Sequence, residues 1–336
     1  MPELPEVEVV RAGLAPAVTG ARVLAVEVMD PRALKRHTPL GEQPGLGGHG
    51  RTLSAETGRS RASDFERRLT GQTLQAPLRR GKFMWIPLAD PPGSAPVSPG
   101  AAASLAPGTA PTAGTALLAH LGMSGQLLLR ATDAADDRHV RIRTWIEHPE
   151  HGELRLDFAD QRLFGSLALD ALTPTAPLGA IPQQAAHIAR DPLDEHFDDG
   201  AFVAAIRSRG VGAKKLLLDQ RLVSGVGNIY ADETLWRARV HPEAPGSSLT
   251  QRRAASLLHH MREVFAQALA EGGTSFDEQY VNVNGQAGYF AHSLNAYGRG
   301  GEACPRCGGP IKRVPFGGRS SHFCPRCQRR PSAPNT

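Results

Sequence analysis

The placement of the cysteines constrains this chain more than any other feature. All four lie in Cys304-Pro-Arg-Cys307 and Cys324-Pro-Arg-Cys327, with sixteen residues between the pairs. Each Cys-x-x-Cys knuckle can wrap one edge of a tetrahedral ion, and two knuckles together supply the ligand set of a zinc site. Four thiolates leave no coordination position open, so one structural Zn2+ is expected, folding a small module without doing chemistry itself. Disulfides are the competing use of four cysteines, but they belong to oxidising compartments. The start, MPELPEVEVV, carries acids where a signal peptide carries bases, and no run of about 18 apolar residues occurs. A cytoplasmic protein with no membrane partner is expected.

Charge is spread unevenly along the chain. The net charge is +5, yet from Arg299 onward eight bases (Arg299, Arg306, Lys312, Arg313, Arg319, Arg326, Arg329 and Arg330) face the single acid Glu302. A basic module of this kind suits phosphate contacts that release counterions from a nucleic acid. A solvated basic tail is the plainer alternative.

The pattern of apolar residues divides the rest. Before residue 180, the segments 117–130, 139–148 and 152–159 alternate or run apolar over strand lengths, with turn residues between them. One helix is expected over 5–14, where proline in the first turn and Glu6 and Glu8 suit a helix start. From residue 198 the period changes, and helices are expected over 200–209, 212–221, 228–237 and 250–270. Residues 41–63 and 90–116 read as surface insertions, the second a Pro/Ala/Gly/Ser tract that cannot bury enough apolar surface to order itself. The expected domains are 1–185, 190–296 and 297–330, with a tail over 331–336.

The N-terminus offers a candidate for chemistry. Removal of Met1 would leave Pro2 with a free secondary amine, and an α-amine, with a reference pKa of about 7.7–8, is partly neutral near pH 7. The neutral form can attack an electrophilic carbon. Glu3 and Glu6 are close enough in sequence to exchange protons with it. Taken alone, PELPE is also a plain helix entrance.

Other segments decide between these readings. MPELPEVEVVRAGL, RRGKF (79–83), HLGMSG (120–125), GVGNIYADE (225–233) and YFAHSLNAYGRGGEAC (289–304), followed by the cysteine module, closely resemble the formamidopyrimidine-DNA glycosylase family, in the family's order. The resemblance implies a multi-domain α+β protein: an N-terminal β-sandwich with a leading helix, a helix–two-turns–helix domain and a zinc finger, gripping DNA in a cleft between domains. It implies a glycosylase and lyase that excises oxidised purines, chiefly formamidopyrimidines and 8-oxoguanine, from double-stranded DNA containing an oxidised base or an abasic site, and nothing in the sequence suggests more than a monomer. Pro2 would be the nucleophile, Glu3 the general acid/base and Glu6 a second acid supporting sugar opening. Lys82 would assist β-elimination, and Arg319 would bind phosphate and assist the second elimination. Met123, Arg162 and Phe164 match the residues that fill the space left by an everted nucleotide. Asn228, Arg209, His120 and His139 match phosphate or backbone contacts, and 272–294 matches the loop that holds the everted base.

Two positions depart from the family pattern. Leu163 follows Arg162 where a second base is usual, and Asp137 stands where a histidine is common. Two other functions compete with the first: a related enzyme class resembling endonuclease VIII, acting on oxidised pyrimidines, and a zinc-finger damage-binding protein without catalysis.

Overall fold

The computed structural model describes residues 2–42, 53–89, 114–135, 137–175, 179–274, 283 and 288–330. They divide into two compact units. One comprises residues 1–2, 7–187 and 277–287; the other comprises 3–6, 188–276 and 288–336.

The first unit is built on two antiparallel sheets. The four-stranded sheet has the order β1 (Arg22–Val28), β6 (Val140–His148), β7 (Gly152–Asp160), β5 (Gly125–Arg130). The five-stranded sheet runs β2 (Leu78–Arg80), β3 (Phe83–Pro87), β4 (Thr115–His120), β8 (Ser166–Pro174), β9 (Ala180–Pro182). Alternation drives the burial: β6 turns Val140, Ile142, Thr144 and Ile146 inward and leaves the residues between them partly exposed. Val23, Leu127, Ile142, Ile146, Leu156 and Phe158 from one sheet share an apolar cluster with Met84, Ile86, Leu117, Ala119, Leu167 and Leu169 from the other, as in a sandwich. Val7, Val10, Leu14 and Val18 of helix α1 (Leu4–Val18) join that cluster.

Three expectations need correction here. Residues 117–130 form two strands in different sheets, because the chain turns at Gly122 (φ 62°), where a Cβ would collide with the backbone of Phe164 and Gly165. The first insertion is not wholly irregular, since helix α2 (Ala55–Leu69) begins inside it. Ser54 caps it by accepting the Thr57 N–H. Only Phe65 and Leu69 are large apolar anchors on its buried side, too few to register as helical periodicity. The expected helix over 212–221 shortens to α4 (Ala213–Leu217). Residues 43–52, 90–113 and 331–336, and most of 272–294, lie outside the described residues.

The second unit is helical. It contains α3 (Asp199–Arg207), α4, α5 (Asn228–Arg237) and α6 (Gln251–Ala270), packed around Ile206, Leu217, Tyr230, Leu257, Met261 and Phe265. Leu4 belongs to this core. The hairpin β10 (Lys312–Phe316) and β11 (Arg319–Phe323) lies between the two cysteine knuckles.

Candidate active site

Helix α5 organises the acids at the N-terminus. Its first turn has amides without intrahelical partners, and Glu3 fills them: Oε2 accepts the Gly227 N–H at 2.6 Å and Oε1 the Ile229 N–H at 3.1 Å. The anion at this helix start is thus the protein's own carboxylate. Gly227 has no alternative, because a Cβ there would overlap the Glu3 carboxylate. Gly225 adopts φ 88° and accepts the Leu4 N–H at 3.0 Å, bringing the segment after Pro2 onto the same turn. Glu6 is saturated. It accepts the Tyr230 hydroxyl at 2.5 Å, the Thr274 N–H and hydroxyl at 2.8 Å each, and the Glu3 N–H at 2.9 Å. Burial, and then the charge of Glu6, push the Tyr230 phenol well above its usual pKa, so it remains a donor. Pro2 is buried and directly precedes Glu3.

A second cluster fixes the arginine hairpin. The Lys214 ammonium, with none of its side chain exposed, pairs with Asp232 at 2.7 Å and donates to the Ser320 carbonyl at 3.2 Å. Burial lowers the Lys214 pKa, opposed by the charge of Asp232. Asp232 also accepts the Ser321 hydroxyl at 3.1 Å and the His322 N–H at 2.8 Å. The Asn228 amide donates to the Ser320 carbonyl at 2.9 Å. These bonds leave Arg319 exposed at the hairpin tip. Glu233, beside Asp232, gathers the amides of Asn295, Ala296 and Tyr297. Burial raises its pKa against the pull of those donors.

The four cysteine sulfurs lie within 4.8 Å of one another, and Cys307 and Cys324 are 3.4 Å apart. Zn–S bonds of about 2.3 Å need sulfurs about 3.8 Å apart, so the cluster fits one tetrahedral zinc. Burial raises the Cys304 thiol, but the Trp236 indole N–H at 3.4 Å and backbone amides outweigh it and hold the pKa at about 6. Burial and the neighbouring thiols push Cys327 up to about 12. A divalent cation would bring all four to thiolate. Arg306 stacks 3.9 Å from the centre of the Trp236 ring and donates to its carbonyl, docking the knuckle on the end of α5.

In the first unit, Asp160 assembles the loops that carry Met123, Arg162 and Phe164. With no exposure, it accepts the Ser124 hydroxyl at 2.6 Å, the Gly165 N–H at 2.7 Å and the Arg162 N–H at 3.2 Å. Met123 and Phe164 are 38% and 36% exposed, a poor placement for core residues, and the Arg162 guanidinium lies 4.8 Å over the Phe164 ring. Leu163 adopts φ 55°, and its carbonyl accepts from Lys35 at 2.6 Å. Lys35 thus brings a cation to the loop in which Leu163 replaces the usual base.

Lys82 sits in the two-residue turn that follows Arg80 between β2 and β3, after Gly81 (φ 57°). His120 ends β4, with Nδ1 accepting the Gly122 N–H and the ring tilted against Phe83. Asp137 accepts the His139 N–H at 2.7 Å, so the departure from the family pattern serves as a turn cap before β6. Arg209, half exposed, lies 3.7 Å from Asp219.

Sequence reading missed Asp160, Lys214, Asp232 and Glu233. The last two did leave a signal: adjacent acids in NIYADETLW, an otherwise buried helix, must have partners.

Comparison with known proteins defines the class. Residues 1–167 match the formamidopyrimidine-DNA glycosylase N-terminal domain, 188–279 its H2TH domain, and 301–330 the zinc finger found in FPG and IleRS. A formamidopyrimidine-DNA glycosylase of Leifsonia xyli is 53% identical over 98% of this chain and the whole of the relative, and one of Streptomyces avermitilis is 50% identical over 98% and 99%. Lactococcus lactis Fpg, solved in complex with DNA containing an abasic site, superposes with a TM-score of 0.72 at 28% identity, covering 98% of this chain and all of that one. The chain belongs to the formamidopyrimidine-DNA glycosylase family, whose members are DNA glycosylases with AP lyase activity. It binds one structural zinc through its four cysteines. Among the described residues, no helix is long and apolar enough to cross a membrane.

Proposed function

We propose that the protein excises oxidised purines, formamidopyrimidines and 8-oxoguanine, from duplex DNA and then cuts the strand on both sides of the vacated sugar. The observation that carries this reading is the Glu3 carboxylate, held by the Gly227 and Ile229 amides at the start of α5, one residue from Pro2. With Met1 removed, the neutral Pro2 nitrogen attacks C1′, the glycosidic bond breaks, and the base leaves with its electron pair and takes up a proton. Opening of the sugar ring, with Glu3 moving the proton and Glu6 supporting the opening, leaves a protonated Schiff base. Loss of a C2′ proton then expels the 3′ phosphate, assisted by Lys82. Loss of a C4′ proton expels the 5′ phosphate, assisted by Arg319. Hydrolysis returns the amine.

Met123, Arg162 and Phe164 fill the space left by the everted nucleotide, supported by their exposure on loops tied to one carboxylate. His120, His139, Arg209 and Asn228 contact the DNA backbone, and residues 1–185, 190–296 and 297–330 act as its three modules. The protein works as a monomer in the cytoplasm, on the nucleoid.

One solved Lactococcus lactis FPG complex contains an oxidised pyrimidine in its DNA, which makes lesion choice the useful test. Single-turnover cleavage of duplexes containing 8-oxoguanine or dihydrouracil should favour the purine by at least about tenfold, a difference of about 1.4 kcal/mol in barrier. A preference for dihydrouracil would contradict the proposal.

A further inference from the structure

We propose that Phe316 is a positioning residue for strand scission: its ring, seated against the Lys214 ammonium, fixes the face from which Arg319 leaves the β10–β11 hairpin. The inference rests on the role proposed above for Arg319.

The hairpin tip has little freedom. Gly317 and Gly318 form its two-residue turn with φ of 49° and 76°, both positive as a type I′ hairpin turn requires. Phe316 and Arg319 are therefore directly opposed, and opposed residues of an antiparallel pair project on the same face. Whatever holds the Phe316 ring also sets the direction of the arginine.

What holds the ring is a buried cation. Lys214 Nζ lies 4.8 Å from the ring centroid, within the range at which an ammonium is drawn to an aromatic face. This lysine is fixed independently of the ring by Asp232 at 2.7 Å. Its exposure is zero, so the attraction is not diluted by water as it would be on an open surface. The same ammonium takes the Ser320 carbonyl on the other strand, which also receives the Asn228 amide at 2.9 Å. One cation thus pins both strands of the tip, β10 through the ring and β11 through a carbonyl one residue beyond Arg319. Without the ring, β11 stays anchored while β10 is released, and the turn can roll about the remaining contact. An apolar cover for the lysine stem would need bulk only, whereas positioning through the cation needs the aromatic face.

The test uses zinc-loaded full-length protein, processed at Met1, on a duplex with a preformed abasic site, and measures the ratio of δ- to β-elimination product. F316L should lower that ratio about fivefold, F316Y should stay within about twofold of wild type, and R319A should lower it most. A wild-type ratio in F316L, or an equal fall in F316Y, would overturn the inference while the R319A result upholds the role of Arg319. A fall in F316L that tracks loss of zinc, measured by metal analysis, would also overturn it. An unchanged ratio in R319A would sink the role of Arg319 itself, and the inference with it.

Discussion

In the first unit, two of the buried charge clusters are local: Arg155 and Asp157 lie two residues apart on β7, and Asp160 serves the two loops at the end of its own strand, while Asp64 reaches a histidine 27 residues away. In the second unit, Glu3, Glu6, Lys214, Asp232 and Glu233, all at or below 2% exposure, join segments far apart in the chain. The first unit is held by an apolar cluster shared between its sheets, and its polar groups shape loops. The second uses buried ions to fix which segments meet, although burying them is costly. Buried charge of this kind is weak evidence of stability but can specify one arrangement. Here the arrangement is the one that places Glu3 on α5 and Arg319 at a hairpin tip.

Removing the zinc should separate the units most strongly. Structural zinc in small modules contributes about 10–16 kcal/mol of apparent binding energy near pH 7, so a chelated finger should unfold. Chelation should abolish strand cleavage and DNA binding while the β-sheet signal in circular dichroism persists. Full activity in protein shown to be metal-free would break the link between the cysteines and the hairpin.

The Lys214–Asp232 pair comes next. Asp232→Ala strands a buried ammonium and should cost about 3–5 kcal/mol in denaturant unfolding. The double variant Lys214→Met/Asp232→Leu should recover much of that stability but not the strand-cleavage ratio, since the hairpin loses its anchor. Recovery of both would show that the pair contributes bulk rather than position.

These residues mark the limit of what the sequence discloses. The cysteine knuckles, helix α1, the strand segments and α5 are legible because each has a local signature: ligand spacing, a helix-start pattern or a sustained period. Phe164 and Met123 can be read as core residues until their exposure is known. Lys214 looks like any helix cation, and its partners Asp232 and Ser320 are supplied by folding alone. Helix α2 is hidden because it buries few apolar side chains and is held partly by Asp64.

Asp64 leads to the smallest expected effect, which belongs to the first unit. His37, fully buried, accepts the Leu169 N–H on Nδ1 and so donates to Asp64 from Nε2 at 3.1 Å. Burial outweighs the charge of Asp64 and lowers the His37 pKa to about 4. Above about pH 6.5 the ring is neutral in both the folded and unfolded states, and its contribution is fully present. Between about pH 6.5 and about 4 only the unfolded chain binds the proton, so stability falls as pH falls and levels off below that window. The total loss from this group is roughly 3 kcal/mol. Thermal unfolding of wild type and His37→Gln across that window measures it, and parallel pH curves for the two would refute the assignment.

The central claim is that the Pro2 nitrogen becomes bonded to the sugar. Borohydride added during reaction with 8-oxoguanine duplex should trap a covalent protein–DNA adduct whose linked peptide, by mass spectrometry, begins at Pro2. Equal trapping by protein that retains Met1 or has an acetylated N-terminus, or linkage through any lysine, would contradict the account.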